Sequence, residues 1–556
     1  MLLGEILRRR GAVTDEQVRE ALRLREPGER IGQTLIRLGW TREEDVLSAL
    51  AEQMRLPLVD LSEARVDAGL ARPGIVKTVF ERKVLPLERT NGAVRVAVSD
   101  PLDLEALDDL RLLLGCDVEP VLARPAEIER LIKLHYGVAA DEVNRMVDAA
   151  REEAAAAPAG PADEAALAED AALVKFVNQI FTEAVRDRAS DIHVEPMENE
   201  LRIRCRIDGV LHRVPIPPEI KRFQAAIVSR LKIMAGLNIA EKRLPQDGRL
   251  RLDLLGREID VRVSVIPNVW GEGVCLRLLD RANMAISLEE LGMPPGVLER
   301  FRSLIAEPHG ILLVTGPTGS GKTTTLYAAL QKINTIEDKI ITIEDPVEYQ
   351  LPGIKQIQVN ARTGLTFAAG LRAILRHDPD IVMIGEIRDL ETAEIAVQSA
   401  LTGHLVFSTL HTNDAPSAVT RLLDMGLEPF LVASTVEGLL AQRLVRKVCS
   451  ACRREVRARD GEFADALPAD LRSFFRGAGC DACRGTGYRG RVGLFELMVV
   501  DDAVREMILR RESAARLKRY AVERGMRTLR EDGWDRVRAG VTTPEEVFRI
   551  TKADKY

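Results

Sequence analysis

Apolar positions along the chain change period several times, and each change marks a different kind of structure. Near the start, Leu3-Gly4 followed by Gly11 recurs 28 residues later as Ile31-Gly32 followed by Gly39. Each copy runs on into helically spaced apolar residues, Val18/Leu22 and Val46/Leu50, so the spacing predicts a small helical module of two repeats over 1–55. Short strand-like runs then alternate with helical ones, predicting an α/β domain over 56–138 with no obvious catalytic cluster. Ala, Glu and Pro dominate 139–170, and Pro158-Ala159-Gly160-Pro161 interrupts any helix, so this stretch is expected to be a linker.

Beyond it, a helical run through Phe176 and Ala184 precedes strand-like alternation at 201–207, 250–254 and 259–265, predicting a mixed α/β domain over 171–282. From about Leu288 the pattern changes to continuous apolar runs separated by helical stretches. The runs at 311–315, 340–343, 381–384 and 405–408 have the character of strands buried on both faces, hence a parallel sheet with crossover helices over 283–500. The remainder, 501–556, is helical and highly charged, and a solvated helical cap is expected there.

Composition narrows what such an α/β chain can do. Its 556 residues suffice for three or four domains, with 46% apolar and 29% charged residues as in an ordinary globular protein. A net charge of -6 and 4% aromatic residues argue against nucleic-acid binding, which favours a basic balance and stacking rings. No apolar run is long enough to span a bilayer, and the start lacks the features of a signal peptide, so a cytoplasmic location is expected, with at most peripheral attachment to the inner membrane through partners.

Candidate chemistry begins at Gly316-Pro317-Thr318-Gly319-Ser320-Gly321-Lys322-Thr323, a full match to G-x-x-x-x-G-K-[ST]. It follows the run at 311–315 and leads through Thr324 into a helical stretch, the context that a phosphate-binding loop requires. Glycines let backbone N–H groups curl around phosphate oxygens, and the helix N-terminus adds its positive end. Lys322 would reach the β and γ phosphates of ATP, and Thr323 would bind Mg²⁺.

Hydrolysis also needs acids at the metal and at the attacking water. Two apolar runs end in acids: Glu344-Asp345-Pro346-Val347-Glu348, and Glu386 beside Arg388 and Asp389. Either cluster alone is more often a solvated strand end; two of them behind a phosphate loop point to a site at the carboxyl ends of parallel strands. His404 and His411 bracket a third run. Each could be a satisfied core histidine or a donor sensing the γ-phosphate.

Four segments, GPTGSGKT, ITIEDPVE, MIGEIRD and LTGHLVFSTLHTND, together resemble the secretion-type traffic ATPases. Among these the chain is most similar to the assembly ATPases of type II secretion, the general secretory pathway protein E family. ASDIHVEP at 189–196, RIDGVL at 206–211, AEKRLPQDGRL at 240–250, REIDVRVS at 257–264 and GYRGRVGLFEL at 487–497 all fit. Type IV pilus extension ATPases share nearly all of these segments, whereas the retraction ATPases lack the cysteine insertion. The resemblance implies a PAS-like domain before a RecA-like motor, a homohexamer, nucleotide between the two domains, and partners in the inner-membrane secretion platform. It also implies that Glu348 polarises the attacking water, that Glu386 holds Mg²⁺ through water, and that His404 and His411 contact the γ-phosphate. Arg249, Arg262 and Arg277 match the family's arginines that close over the phosphates, although arginines on alternating strands are usually an exposed face.

Cys449-x-x-Cys452 and, 27 residues on, Cys480-x-x-Cys483 supply the four thiolates of a closed structural Zn²⁺ site in a module over 446–490. A redox dithiol would favour one such pair near the start of a thioredoxin-like unit. Cys116, Cys205 and Cys275 are isolated and are expected to be small packed side chains. Residues 1–55 partly resemble modules that bind cyclic di-GMP. The second repeat fits with Arg30, Ile31, Gly32, Leu35, Ile36, Gly39, Leu50 and Gln53, but the first has Leu2 and Arg25 at its two polar ends. A helical docking module is therefore the expectation, with cyclic di-GMP as the alternative. The preferred reading is an ATP-driven motor of type II secretion; its rivals are a pilus extension motor, a nucleic-acid translocase and a nucleotide-holding regulator without turnover.

Overall fold

The computed structural model describes residues 1–26, 28–61, 64–70, 73–90, 92–156, 171–280, 286–457 and 467–551. It divides into two compact units, Met1–Leu279 and Asp280–Tyr556.

In the first unit the repeat becomes four helices, Leu3–Arg9, Asp15–Arg23, Ile31–Arg37 and Glu43–Met54, around Ile6, Leu7, Leu35, Val46 and Ala49. Each repeat glycine seats a valine of the following helix. A Cβ on Gly4 would lie 3.0 Å from a Val18 methyl, and one on Gly32 would lie 2.8 Å from the equivalent Val46 methyl. Gly11 and Gly39 share a left-handed turn, with φ of +72° and +70°. Leu22 departs from the expectation: it is 54% exposed and does not join the core.

A three-stranded sheet follows, with β1 (Leu85–Thr90) antiparallel to β2 (Ala93–Val98) and β2 parallel to β3 (Val118–Leu122). The expected linker over 139–170 is corrected in its first part, because Ala140–Ala156 form a helix. Val143, Met146 and Val147 recur at helical spacing and are buried in one cluster with Phe176, Val177 and Ile180 of the helix Ala171–Arg186. Alanine-rich composition hid that stripe. The rest of the expected linker, with its prolines, lies outside the described residues.

The segment expected to be PAS-like is an antiparallel sheet in the order β6-β5-β4-β9-β8-β7. Its strands are β4 (Ala189–Pro196), β5 (Leu201–Ile207), β6 (Val210–Arg213), β7 (Gln246–Leu254), β8 (Arg257–Asn268) and β9 (Gly271–Asp280). Alternation decides its two faces. Ile259, Val261, Val263 and Val265 of β8 are buried with the apolar faces of the helices Ala171–Arg186 and Gln224–Met234, while Arg262 and its neighbours project from the other side.

The second unit is built on seven strands: β10 (Gly310–Thr315), β11 (Ile340–Glu344), β12 (Lys355–Gln358), β13 (Ile381–Ile384), β14 (Leu405–Leu410), β15 (Val436–Val448) and, after the hairpin β16 (Arg453–Arg457) and β17 (Ser473–Gly477), β18 (Tyr488–Val499). Their order is β12-β11-β13-β14-β10-β15-β18, parallel except for the β15–β18 pair. Ile311 and Leu313 enter one hydrophobic cluster, Leu312 and Val314 another, so helices cover both faces. Double coverage explains the unbroken apolar runs.

The charged tail is not a solvated cap. Its helices Asp502–Leu509, Ala514–Glu523 and Leu529–Arg538 bring Val504, Ile508, Leu517 and Leu529 into the hydrophobic core of the seven-stranded sheet. Glu496 of β18 fixes the junction: it is fully buried and accepts from the backbone N–H groups of Ala415 (2.8 Å) and Leu529 (3.2 Å), each at a helix start. Burial pushes this carboxyl up to about 7, against the nearby Lys518 ammonium and the two N–H donors. The folded protein thus binds the proton more tightly than the unfolded chain, whose value is near 4.5. The contribution is full below that value and is lost as pH rises through about 7. Relative to a Glu496→Gln chain, which stays neutral, the wild type should lose about 3 kcal/mol of stability between roughly pH 4 and 8. Denaturant midpoints of both proteins across that range test this; a constant gap between them would refute it.

Candidate active site and cysteine cluster

Parallel register brings the candidate residues to one edge of the seven-stranded sheet. Thr315 pairs with Leu410, Ile384 with Ser408, and Ile343 with Ile384. The segments that follow β10, β11, β13 and β14 therefore leave the sheet together, at the carboxyl ends where ligands bind in this architecture. Thr315 Oγ1 lies 2.6 Å from Thr412 Oγ1 and accepts the Thr412 N–H at 2.9 Å, tying the loop after β14 to the start of the phosphate loop.

The phosphate loop has the shape its glycines predict. Gly316, Gly319 and Gly321 have φ of +154°, +79° and +89°. A Cβ on Gly316 would come within 2.6 Å of both the Gln442 carbonyl and Ser320 Oγ, so only glycine fits there. Ser320 Oγ is buried without a hydrogen-bond partner, a free polar group inside the loop that suits a phosphate oxygen. Lys322 and Thr323 open the helix Lys322–Ile333, with Thr324 in the same first turn. Lys322 Nζ folds back onto the carbonyls of Gly316 (2.8 Å) and Pro317 (3.2 Å). Burial pulls its ammonium down to about 8; Glu386 opposes that shift and Arg443 adds to it. A polyphosphate would act in the same direction as Glu386 and hold the lysine charged.

The carboxylates of the two acid clusters are held in different ways. Glu344 is 3% exposed and accepts hydrogen bonds from Thr342 (2.6 Å), Gln356 (3.1 Å) and the Tyr327 hydroxyl; burial pushes its carboxyl up. Glu348 is half-buried at the outer end of the same segment, and its backbone N–H donates to the Tyr327 hydroxyl at 3.3 Å. Asp389 caps the helix Leu390–Leu401 through the Thr392 N–H. Glu386 is 12% exposed, bonds Arg388 at 2.7 Å, and faces His411 Nε2 at 3.4 Å.

The histidine pair is split. His411 follows β14 at the phosphate-loop edge, whereas His404 precedes it at the amino edge, about 20 Å away at strand rise. His404 Nδ1 faces the carbonyl of Ser399 at 2.8 Å, and the His404 carbonyl accepts from Gly310 at the start of β10. The expectation that His404 contacts the γ-phosphate is therefore corrected for the hydrolytic site of its own chain: a six-residue strand stands between them.

Arg249, Arg262 and Arg277 lie in the other unit, on the face of the antiparallel sheet opposite its helices. Arg249 and Arg262 are register partners, and Arg277 Nε bonds Asp191 at 3.0 Å. Sequence reading passed over Gln442 and Arg443 of β15, which stand behind the phosphate loop. Their one signal was a polar pair interrupting the apolar run Leu439-Leu440-Ala441 to Leu444-Val445.

Cys449, Cys452, Cys480 and Cys483 place their sulfurs within 4.8 Å of one another. Separations of 3.8 Å (449–480) and 3.7 Å (452–483 and 480–483) match the about 3.8 Å edge of a tetrahedron with metal–sulfur bonds of about 2.3 Å. They are far beyond disulfide length, at about 2.05 Å. Burial raises the Cys483 thiol, but N–H groups of Cys480 and Gly487 at 3.2 and 3.3 Å, together with the neighbouring thiols of Cys480 and Cys452, bring it to about 7, whereas burial pushes the thiols of Cys452 and Cys480 up.

Comparison with known proteins gives matches over the whole chain. Residues 166–549 match the family profile described as Type II/IV secretion system protein, and residues 54–142 match the MshEN domain. The second match covers the α/β domain and begins where the helical repeats end. The chain is 43% identical over 565 residues to the type IV pilus assembly ATPase PilB of Myxococcus xanthus, covering 100% of this chain and 99% of that protein. It is also 43% identical over 559 residues to type II secretion system protein E of Xanthomonas campestris pv. campestris, covering 99% and 98%. Among solved structures, the ATPase DotB of Legionella pneumophila shares the fold at a TM-score of 0.51 and 22% identity, over 68% of this chain and 95% of that chain.

Proposed function

The chain belongs to the type II/IV secretion ATPase family, and from that premise we propose that it works as a homohexamer at the cytoplasmic face of the inner membrane, where ATP hydrolysis drives pseudopilus assembly for type II secretion. The observation that carries this reading is the meeting of Lys322, Glu386 and His411 with the phosphate loop at one sheet edge. Among the described residues no helix is long and apolar enough to cross a membrane, so attachment would run through the platform and docking proteins.

In this reading the backbone of 316–324 and Lys322 cradle the phosphates of ATP. Thr323 and Glu386 would hold Mg²⁺, the latter through water, and the ion would supply charge neutralisation at the β and γ phosphates. Glu348 orients the attacking water, and His411 follows the γ-phosphate from its place beside Glu386. Arg249, Arg262 and Arg277 supply further cations to developing charge. The four cysteines would hold Zn²⁺ as a closed structural site. The helical repeats serve as a docking module, with cyclic di-GMP as an alternative ligand of the better-matched second repeat.

Pilus extension is the second reading, favoured by the full-length identity to the Myxococcus xanthus pilus ATPase. The two separate in one assay: ATP turnover by protein of known oligomeric state, with and without cytoplasmic fragments of each platform. Stimulation by the secretion set is expected. Stimulation by the pilus set alone would give the chain to pilus extension, and stimulation by neither set would reject both.

A further inference from the structure

Arg443 carries a charge into a place where an apolar side chain would pack at lower cost. It lies on β15 beside β10 and is 7% exposed. Its Nη2 donates to the carbonyl of Asn413 at 2.8 Å and its Nη1 to the carbonyl of Gln442 at 2.9 Å. A Cβ on Gly316 would stand 2.9 Å from that same Nη1, so the guanidinium is wedged between the first residue of the phosphate loop and the loop that follows His411. Burial lowers its pKa, with Glu496 and Asp414 opposing. Burying a cation is unfavourable unless its partners compensate. The two bonds above go to main-chain carbonyls, which fix backbone more than they neutralise charge.

Both segments that Arg443 touches lead into the site. On one side Asn413 is two residues from His411, which faces Glu386; the Thr315–Thr412 bond closes the other side of that loop. On the other side, Gln442 next to it accepts from Thr325 Oγ1 at 2.7 Å in the first turn of the phosphate-loop helix. We infer that Arg443 is a positioning residue for ATP hydrolysis, locking the 411–414 loop, and with it His411, against the phosphate loop. The inference rests on the ATPase reading above and on the place given there to His411.

The test is a double-mutant cycle of Arg443→Gln and His411→Ala in the full chain, read by steady-state turnover, with ADP affinity measured alongside. Arg443→Gln is expected to lower kcat by about 10- to 100-fold, the scale of a misplaced catalytic group, with ADP affinity nearly unchanged. With His411 already Ala, the same change should cost less than about threefold, because the two act through one contact. Equal losses in both backgrounds would overturn the inference, as would an unchanged kcat or a parallel fall in ADP affinity. A silent His411→Ala would separately remove the role given to His411 above. Should Arg443→Gln fail to fold by circular dichroism, Arg443→Lys takes its place in the cycle under the same criteria.

Discussion

A Glu348→Gln chain is expected to bind ATP as tightly as the wild type and to turn it over about 10²- to 10⁴-fold more slowly, the range for losing a positioned general base. The expectation turns on which acid of the segment 344–348 is committed to holding the sheet together. Glu344 is buried and takes hydrogen bonds from Thr342, Gln356 and Tyr327, so its carboxylate is occupied in holding β11, β12 and the phosphate-loop helix together. Glu348 lies at the outer end of the same segment, which leaves β11 at the carboxyl edge of the sheet. A Glu344→Gln change should instead lower thermal stability, because an amide cannot accept at both positions. Nucleotide affinity by equilibrium binding and turnover by phosphate release separate the two effects. Unchanged turnover in Glu348→Gln would show that the base lies elsewhere.

Stripping a metal from the cysteine cluster is the second large effect expected. If the four sulfurs hold Zn²⁺, stripping it should cost on the order of 10 kcal/mol of local folding free energy, since a preformed four-thiolate site does not exist in an unfolded segment. Melting would not stop at the cysteines. The backbone of Cys449 donates to Gly487 at 2.9 Å and that of Val448 to Val541 at 2.8 Å, while Arg446 bonds the buried Glu546 at 2.8 Å and stacks on Tyr488. Loss of the cluster should therefore loosen the last helices as well as the far ends of β15 and β18. Limited proteolysis and metal content, measured on the wild type with a chelator and on Cys483→Ser, are the readouts. One zinc per chain is expected, with new cleavage between residues 446 and 490 once it is gone. A metal-free chain that resists protease as well as before would leave the cluster without a structural role.

Legibility in the sequence followed how local the physics is. The four apolar runs at 311–315, 340–343, 381–384 and 405–408 are strands of one sheet, because burial on both faces leaves no polar alternation to confuse them. The 28-residue repeat was a weaker signal, and Gly4 and Gly32 prove to be the points where one helix seats the valine of the next. Misreadings came where composition and contact disagree. Alanine and glutamate made 140–156 look like a linker, yet Val143, Met146 and Val147 suffice to bury one stripe of a helix. High charge in 501–556 suggested a solvated cap, although a helix needs only Val504 and Ile508, or Leu517 and Ala521, to join a core.

The phosphate-loop pattern at 316–323 could be read from eight residues, and four thiolates at metal-ligand spacing from two short pairs, because each motif carries its chemistry within a few bonds. Which residues share the site could not be read that way. His404 and His411 look alike beside one strand, and only the direction of that strand in a parallel sheet sends one to the phosphate loop and the other to the opposite edge. Glu344 and Glu348 differ only in what packs around them. Arg443, 127 residues beyond Gly316, reaches it because β15 lies beside β10. Local sequence settles which groups can bind phosphate or metal; strand order and burial, which join distant parts of the chain, settle which of them are free to act together.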